Sequence, residues 1–279
     1  MTALNLPDWA IDASKTVMVD GIETHYFELG SGPALILIHG GGPGADSWGN
    51  WRDTLCDYAK SFRVIAYDMP GFGRSAKPSP QSYPYDQASR NRHLAAFIET
   101  LGLEQVHLIG NSMGGATSLG LCIERPELVE KLVLMGAAGL AVNNPDPSYK
   151  ETLRAYDGTV EGMHTVMAAL TGSRFKIEED SVRYRDALMR DPAARVAIGT
   201  IVRSDLTYSE DKIAAIKHPT LVVAGKEDKV AIPARNQRYL ELLDNSWGFI
   251  VPHVGHWVML EAPELFVQIT SQFLEQDWE

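Results

Sequence analysis

The sequence predicts an α/β fold: a mostly parallel central sheet flanked by helices, with a block of helices inserted in its second half. Three observations lead there. Short continuous apolar runs at 34–38, 63–67, 106–109, 132–135 and 219–224 have the pattern of strands buried on both faces. Helical stretches alternate with them, which calls for parallel strands joined by right-handed crossovers. From about 139 to 209 the strand-like runs stop and amphipathic helical segments take over.

Bulk properties narrow the class. A chain of 279 residues can bury a large core, and its formal charge of −11 argues against nucleic acid or an anionic membrane surface as partner. An anionic substrate would therefore need a local cation. The two cysteines, Cys56 and Cys122, do not suggest a disulfide framework. No basic and apolar leader opens the chain and no apolar run reaches transmembrane length, so the expected location is cytoplasmic.

The elements follow in order. Strands at 15–20 and 22–29 should meet at an Asp20-Gly21 turn. The run at 34–38 ends in His39-Gly-Gly-Gly-Pro-Gly44, a loop whose amides can approach a ligand closely. A helix at 48–59 leads to the strand at 63–67, and Asp68-Met-Pro-Gly-Phe-Gly-Arg-Ser75 is turn-rich. A helix at 87–101 stops at Gly102, a C′ glycine. The insert should hold helices at 150–156, 160–170, 179–189 and 192–202. A strand at 219–224, a helix at 234–243, a strand at 247–251 and a helix at 263–273 complete the core. The expected division is a core at 1–138 and 210–279 with a helical lid at 139–209.

The chemistry is concentrated around Gly110-Asn-Ser-Met-Gly114. A strand, a tight Gly-x-Ser-x-Gly turn and a helix in that order form a nucleophile elbow, which exposes Ser112 on a strained backbone. A serine hydroxyl needs a base, and the base needs an orienting acid. In the α/β-hydrolase fold the order is serine, acid, histidine. Asp228, at the end of a buried strand, is favoured as the acid over its neighbour Glu227, and His256, after Gly255, as the base. The amide of Met113, with that of Gly41 or Gly42, would form the oxyanion hole. His39 is expected to brace its loop, and His253 lacks the glycine that precedes His256. His25, His93, His107, His164 and His218 have no motif around them. No histidine cluster has metal-ligand spacing, and no cofactor is expected.

Asn111 stands where ordinary members of this fold often carry a histidine. Together with His39-Gly-Gly-Gly-Pro-Gly-Ala45, Trp48-Gly-Asn50, Asn111-Ser-Met-Gly-Gly-Ala-Thr117, Leu134-Met-Gly136 and Gly255-His-Trp257, it resembles the meta-cleavage product hydrolases, which cut C–C bonds in aromatic degradation. The stretches 156–170 and 246–253 look most like the branch acting in carbazole-type pathways. The resemblance implies cofactor-free hydrolysis of a 2-hydroxy-6-oxo-hexa-2,4-dienoate to 2-hydroxypenta-2,4-dienoate and a carboxylic acid. It also implies a dimer or higher homo-oligomer, and substrate-carboxylate contacts from Asn50, Asn111, Trp257 and a lid arginine. Arg183-Tyr184 fits the family's arginine–aromatic pair, but Arg185 replaces the glutamate that should follow and is a second candidate. Arg183 is favoured on the pattern. Val254 departs from a common cysteine before Gly-His. The alternative is a carboxylesterase or enol-lactone hydrolase on the same triad. A binding protein that kept the fold is disfavoured by the intact Ser112, Asp228 and His256.

Overall fold

The computed structural model describes residues 6–146 and 156–278. Its sheet has eight strands: β1 (Ser14–Val19), β2 (Ile22–Leu29), β3 (Ala34–Ile38), β4 (Arg63–Tyr67), β5 (Val106–Asn111), β6 (Val129–Met135), β7 (Thr220–Gly225) and β8 (Ser246–Val251). They lie in the order β1-β2-β4-β3-β5-β6-β7-β8. The pairs β1/β2 and β2/β4 are antiparallel, and all others are parallel. At the hairpin between β1 and β2, Asp20 and Gly21 both take positive φ, the signature of a type I′ turn. β5 and β7 are buried at every residue, as continuous apolar runs covered on both faces must be.

Helices flank the sheet: α1 (Asp8–Ala13), α2 (Ser47–Trp51), α3 (Leu55–Tyr58), α4 (Gln87–Thr100) and α5 (Met113–Glu124) come before the insert. Asp86 caps α4 by accepting from the Ser89 amide at 2.8 Å, and Gly102 takes φ +66° just past its end. The single helix expected at 48–59 is two short ones. Asp46 caps the first, and the Thr54 hydroxyl donates to the Trp51 carbonyl at 3.0 Å where the chain changes direction.

Between β6 and β7 come α6 (Val160–Leu170), α7 (Glu179–Leu188), α8 (Pro192–Ile201) and α9 (Glu210–Ala214). The helix expected at 150–156 lies, but for Tyr156, outside the described residues. After β7 the chain adds α10 (Pro233–Leu242), α11 (Val258–Glu261) and α12 (Pro263–Glu275). Among the described residues no helix is long and apolar enough to cross a membrane.

The C-terminal ends of β3, β5, β6 and β7 share one edge of the sheet, where open α/β sheets bind ligands. The backbones there are packed too closely for side chains. A Cβ on Gly225 would run into the carbonyls of Gly255 and Val254, and one on Gly136 would stand 2.9 Å from His256 Nδ1. Gly21, by contrast, has open space around it. Gly225→Ala should therefore destabilise the fold by about 2–3 kcal/mol, as overpacking does. Gly21→Ala should cost only about 1 kcal/mol of left-handed backbone strain. Thermal melts of the two variants, read against the wild type, test that order; equal losses would contradict it.

Candidate active site

Ser112 sits between β5 and α5 at φ +53°, ψ −115°. The turn is held from both sides. The Ser112 amide donates to Met135 O at 3.2 Å, and the Ser112 carbonyl accepts from Ala138 N at 2.9 Å. A Cβ on Gly110 would meet Gly114 O at 2.6 Å, and one on Gly114 would run into the Ile38 carbonyl. Only glycine fits either flank.

Asp228 follows β7 and is buried. Its Oδ1 accepts from the amides of Val230 (2.7 Å) and Ala231 (2.9 Å), and its Oδ2 lies 2.7 Å from His256 Nδ1. A carboxylate only accepts, so Nδ1 carries the proton and Nε2 is the lone-pair nitrogen. Glu227 turns away, accepting from Ser173 N at 2.7 Å and lying 3.4 Å from His253 Nδ1. The His256 amide donates to Leu170 O at 2.7 Å, at the end of α6. Glu261 binds the amides of both Gly172 and Gly255, clamping the same junction.

Ser112 and His256 line one cavity of about 300 Å³. Gly41, Gly42 and Met113 are in its wall, and the loop packs so tightly on α5 that a Gly41 Cβ would stand 2.7 Å from Met113 Sδ. His39 braces that loop: its Nδ1 donates to Gly40 O at 2.7 Å, and its Nε2 accepts from Met69 N at 3.0 Å. Burial lowers its pKa to about 4, so the ring is neutral.

Asn50, Asn111 and Trp257 line the same cavity. Asn50 Nδ2 donates to Asn111 Oδ1 at 3.1 Å, and Asn111 Nδ2 donates to Met135 O at 3.1 Å. For the arginine of the insert, the sequence pattern favours Arg183, and the structure places the two candidates differently. Arg183 is exposed and ion-paired with Glu179, one helical turn back. Of the two, Arg185 is in the cavity wall, 3% exposed, its guanidinium 4.7 Å above the Trp257 ring. The correction follows from helix geometry, because residues two apart point roughly 200° apart. Val182, Arg185 and Asp186 form the buried stripe of α7, and Arg183 falls outside it. That periodicity was the available signal. Arg185 Nη2 donates to Pro43 O at 3.2 Å, whereas Nε and Nη1 are buried without hydrogen-bond partners among the described residues. Burial pushes its pKa down to about 10, and it stays charged at neutral pH.

A carboxylate network that the sequence did not single out supports this wall. Asp68 accepts from the amide and hydroxyl of Ser47 (2.7 and 2.6 Å), Arg74 N (2.8 Å) and His25 Nδ1 (2.9 Å). Burial works against its charge, but the hydrogen bonds and the charge of His25 hold its carboxyl well below the usual range. Asp46 accepts from Gly49 N at 2.6 Å and from the Tyr184 hydroxyl. Tyr184 thereby ties α7 to the core one residue before Arg185.

Comparison with known proteins agrees with this geometry. The α/β-hydrolase fold model matches residues 33–263. A 2-hydroxy-6-oxo-6-(2'-aminophenyl)hexa-2,4-dienoic acid hydrolase of Metapseudomonas resinovorans is 44% identical, over 94% of this chain and 91% of its own. The chain belongs to the meta-cleavage product hydrolases of the α/β-hydrolase fold. A 2-hydroxy-6-oxo-2,4-heptadienoate hydrolase of Pseudomonas putida is 32% identical, over 94% of this chain and 96% of its own. Among solved structures, a serine hydrolase involved in carbazole degradation superposes with a TM-score of 0.86 at 43% identity, covering 94% of this chain and 98% of its own.

The Asp46–Asp68 pair gives this family member a pH signature. Burial, and then the Asp68 charge, raise the Asp46 pKa to about 6 from the ordinary 3.8. Between those values the folded chain holds a proton that the unfolded chain has released. Stability from this group is thus present below about pH 4 and is lost as pH rises through 6, by about 3 kcal/mol at most. Asp46→Asn should gain stability relative to wild type on going from pH 4 to pH 7.5, measured by denaturant melts at both. A difference that does not change with pH would remove the buried proton.

Proposed function

We propose that this protein hydrolyses the C5–C6 bond of a 2-hydroxy-6-oxo-hexa-2,4-dienoate with Ser112, His256 and Asp228 and without a cofactor. The observation that carries the reading is Arg185, a buried cation that pairs with no carboxylate among the described residues, in the cavity that also holds Ser112 and His256. An uncompensated buried charge is unfavourable unless a ligand of opposite charge completes it. A neutral ester has no use for it, but a dienoate carboxylate does. In this reading Arg185, Asn50 and Asn111 hold that carboxylate beside Trp257. The named activities of the relatives point the same way.

The chemistry follows from the substrate. A proton placed on C5 turns the dienol into a ketone whose C5–C6 bond can break with the electron pair delocalised as an enolate. Attack at the C6 carbonyl, by Ser112 Oγ or by water that Ser112 deprotonates, forms an oxyanion. Met113 and a loop glycine, Gly41 or Gly42, donate to it. His256 carries protons through Nε2, and Asp228 holds its tautomer and orientation. One water is consumed, and 2-hydroxypenta-2,4-dienoate and a carboxylic acid leave. The insert acts as the lid over this cavity, and the exposed Phe249 and Ile250 of the edge strand β8 suit a homo-oligomer.

Two variants test the proposal, both followed by bleaching of the coloured dienolate of 2-hydroxy-6-oxo-6-phenylhexa-2,4-dienoate. Ser112→Ala should slow cleavage by roughly 10³-fold or more, and turnover near the wild-type rate would remove the elbow from the mechanism. Arg185→Gln should cut kcat/KM for the dienoate by roughly 10- to 100-fold while changing hydrolysis of a neutral nitrophenyl ester little. Arg183→Gln should alter neither. Equal losses on dienoate and ester in the Arg185 variant would sink the carboxylate role.

A further inference from the structure

The groups named so far occupy only part of the cavity. In the sheet, β3 lies on one side of β5, and β6 and then β7 lie on the other. Asn50 and Arg185 stand by the chain that follows β3, whereas Val230 and Arg235 follow β7, yet all four line the one cavity. The cavity therefore has an arginine on each side of Ser112. A dienoate with its carboxylate toward Arg185 and C6 at Ser112 sends its C6 arm toward Ala138, Leu206, Val230 and Arg235. The first three are apolar and suit the faces of a ring.

Arg235 is half-buried in the first turn of α10. Its Nη1 donates to Val230 O at 3.3 Å, its Nε is sealed from solvent without a partner, and no carboxylate pairs with it among the described residues. A guanidinium serving only solubility would turn its whole fork to water. This one sits in the cavity wall of a chain with a formal charge of −11, with donors left for an oxygen anion.

We infer that Arg235 is a specificity-determining residue, selecting dienoates whose C6 arm is an aryl ring bearing a carboxylate remote from the scissile bond. The inference rests on the reading of this site as a dienoate hydrolase. The test compares 6-phenyl and 6-(3-carboxyphenyl) dienoates on wild type, Arg235→Met and Arg235→Lys. Wild type should prefer the carboxyphenyl substrate. The methionine variant should lose roughly 10- to 100-fold in kcat/KM on it, mostly through KM, with the phenyl substrate within about twofold. The lysine variant should recover part of the loss. No wild-type preference, or equal losses on both substrates, would overturn the inference while leaving C–C hydrolysis intact. Failure of wild type to bleach either dienoate would take down both.

Discussion

A left-handed backbone at a serine is the constraint around which this molecule is arranged. Such a conformation costs on the order of 1–3 kcal/mol and persists only where its surroundings leave no alternative. Here they leave none. The Ser112 amide and carbonyl are pinned to the end of β6 and to the chain beyond it. Gly110 and Gly114 permit an approach that any side chain would block. The flanking strands must therefore be firmly held, and the apolar runs of β3, β5, β6 and β7, buried along most of their length, supply that frame. Because the frame is rigid, the loops leaving its edge can vary in chemistry without losing their aim.

The second organising force is electrostatic. An acidic chain keeps a buried guanidinium against a tryptophan face, and it does so with contacts from two separate segments. Pro43 supplies a carbonyl, Trp257 a ring, and Asp46 an indirect anchor through Tyr184. None of these neutralises Arg185. Two neighbouring carboxylates lie close behind, but their hydrogen bonds go elsewhere: Asp46 accepts from Gly49 N and Tyr184, and Asp68 from Ser47, Arg74 N and His25. The cavity is left with a positive end that only a ligand can complete.

Most of the fold was legible because its signals are local. Continuous apolar runs, the Asp20-Gly21 turn, the C′ glycine at Gly102 and the elbow each declare themselves within a few residues. Asp228 could be told from Glu227 by its place at the strand end. The arginine could not be chosen by resemblance, since Arg183 matched a sequence pattern while Arg185 matched the buried stripe of α7. Counting helical positions from Val182 would have shown which of the two is buried. The Asp46–Asp68–Tyr184 network was beyond reach for a different reason: its members lie 22 and 138 residues apart along the chain, and only the folded backbone brings them into one cluster. Arg235 was illegible for the same reason, since nothing near it in sequence marks a cavity wall.

The hydrogen bond from the His256 amide to Leu170 O joins the base to the last turn of α6, and Glu261 rivets the glycines on either side of that junction. Base and insert are in this way mechanically one part. Linkage between such joined elements is reciprocal: whatever orders one orders the other by the same free energy. The end of the insert and the backbone of the base share one set of hydrogen bonds, so a change in the packing of α6 reaches the imidazole through its own main chain.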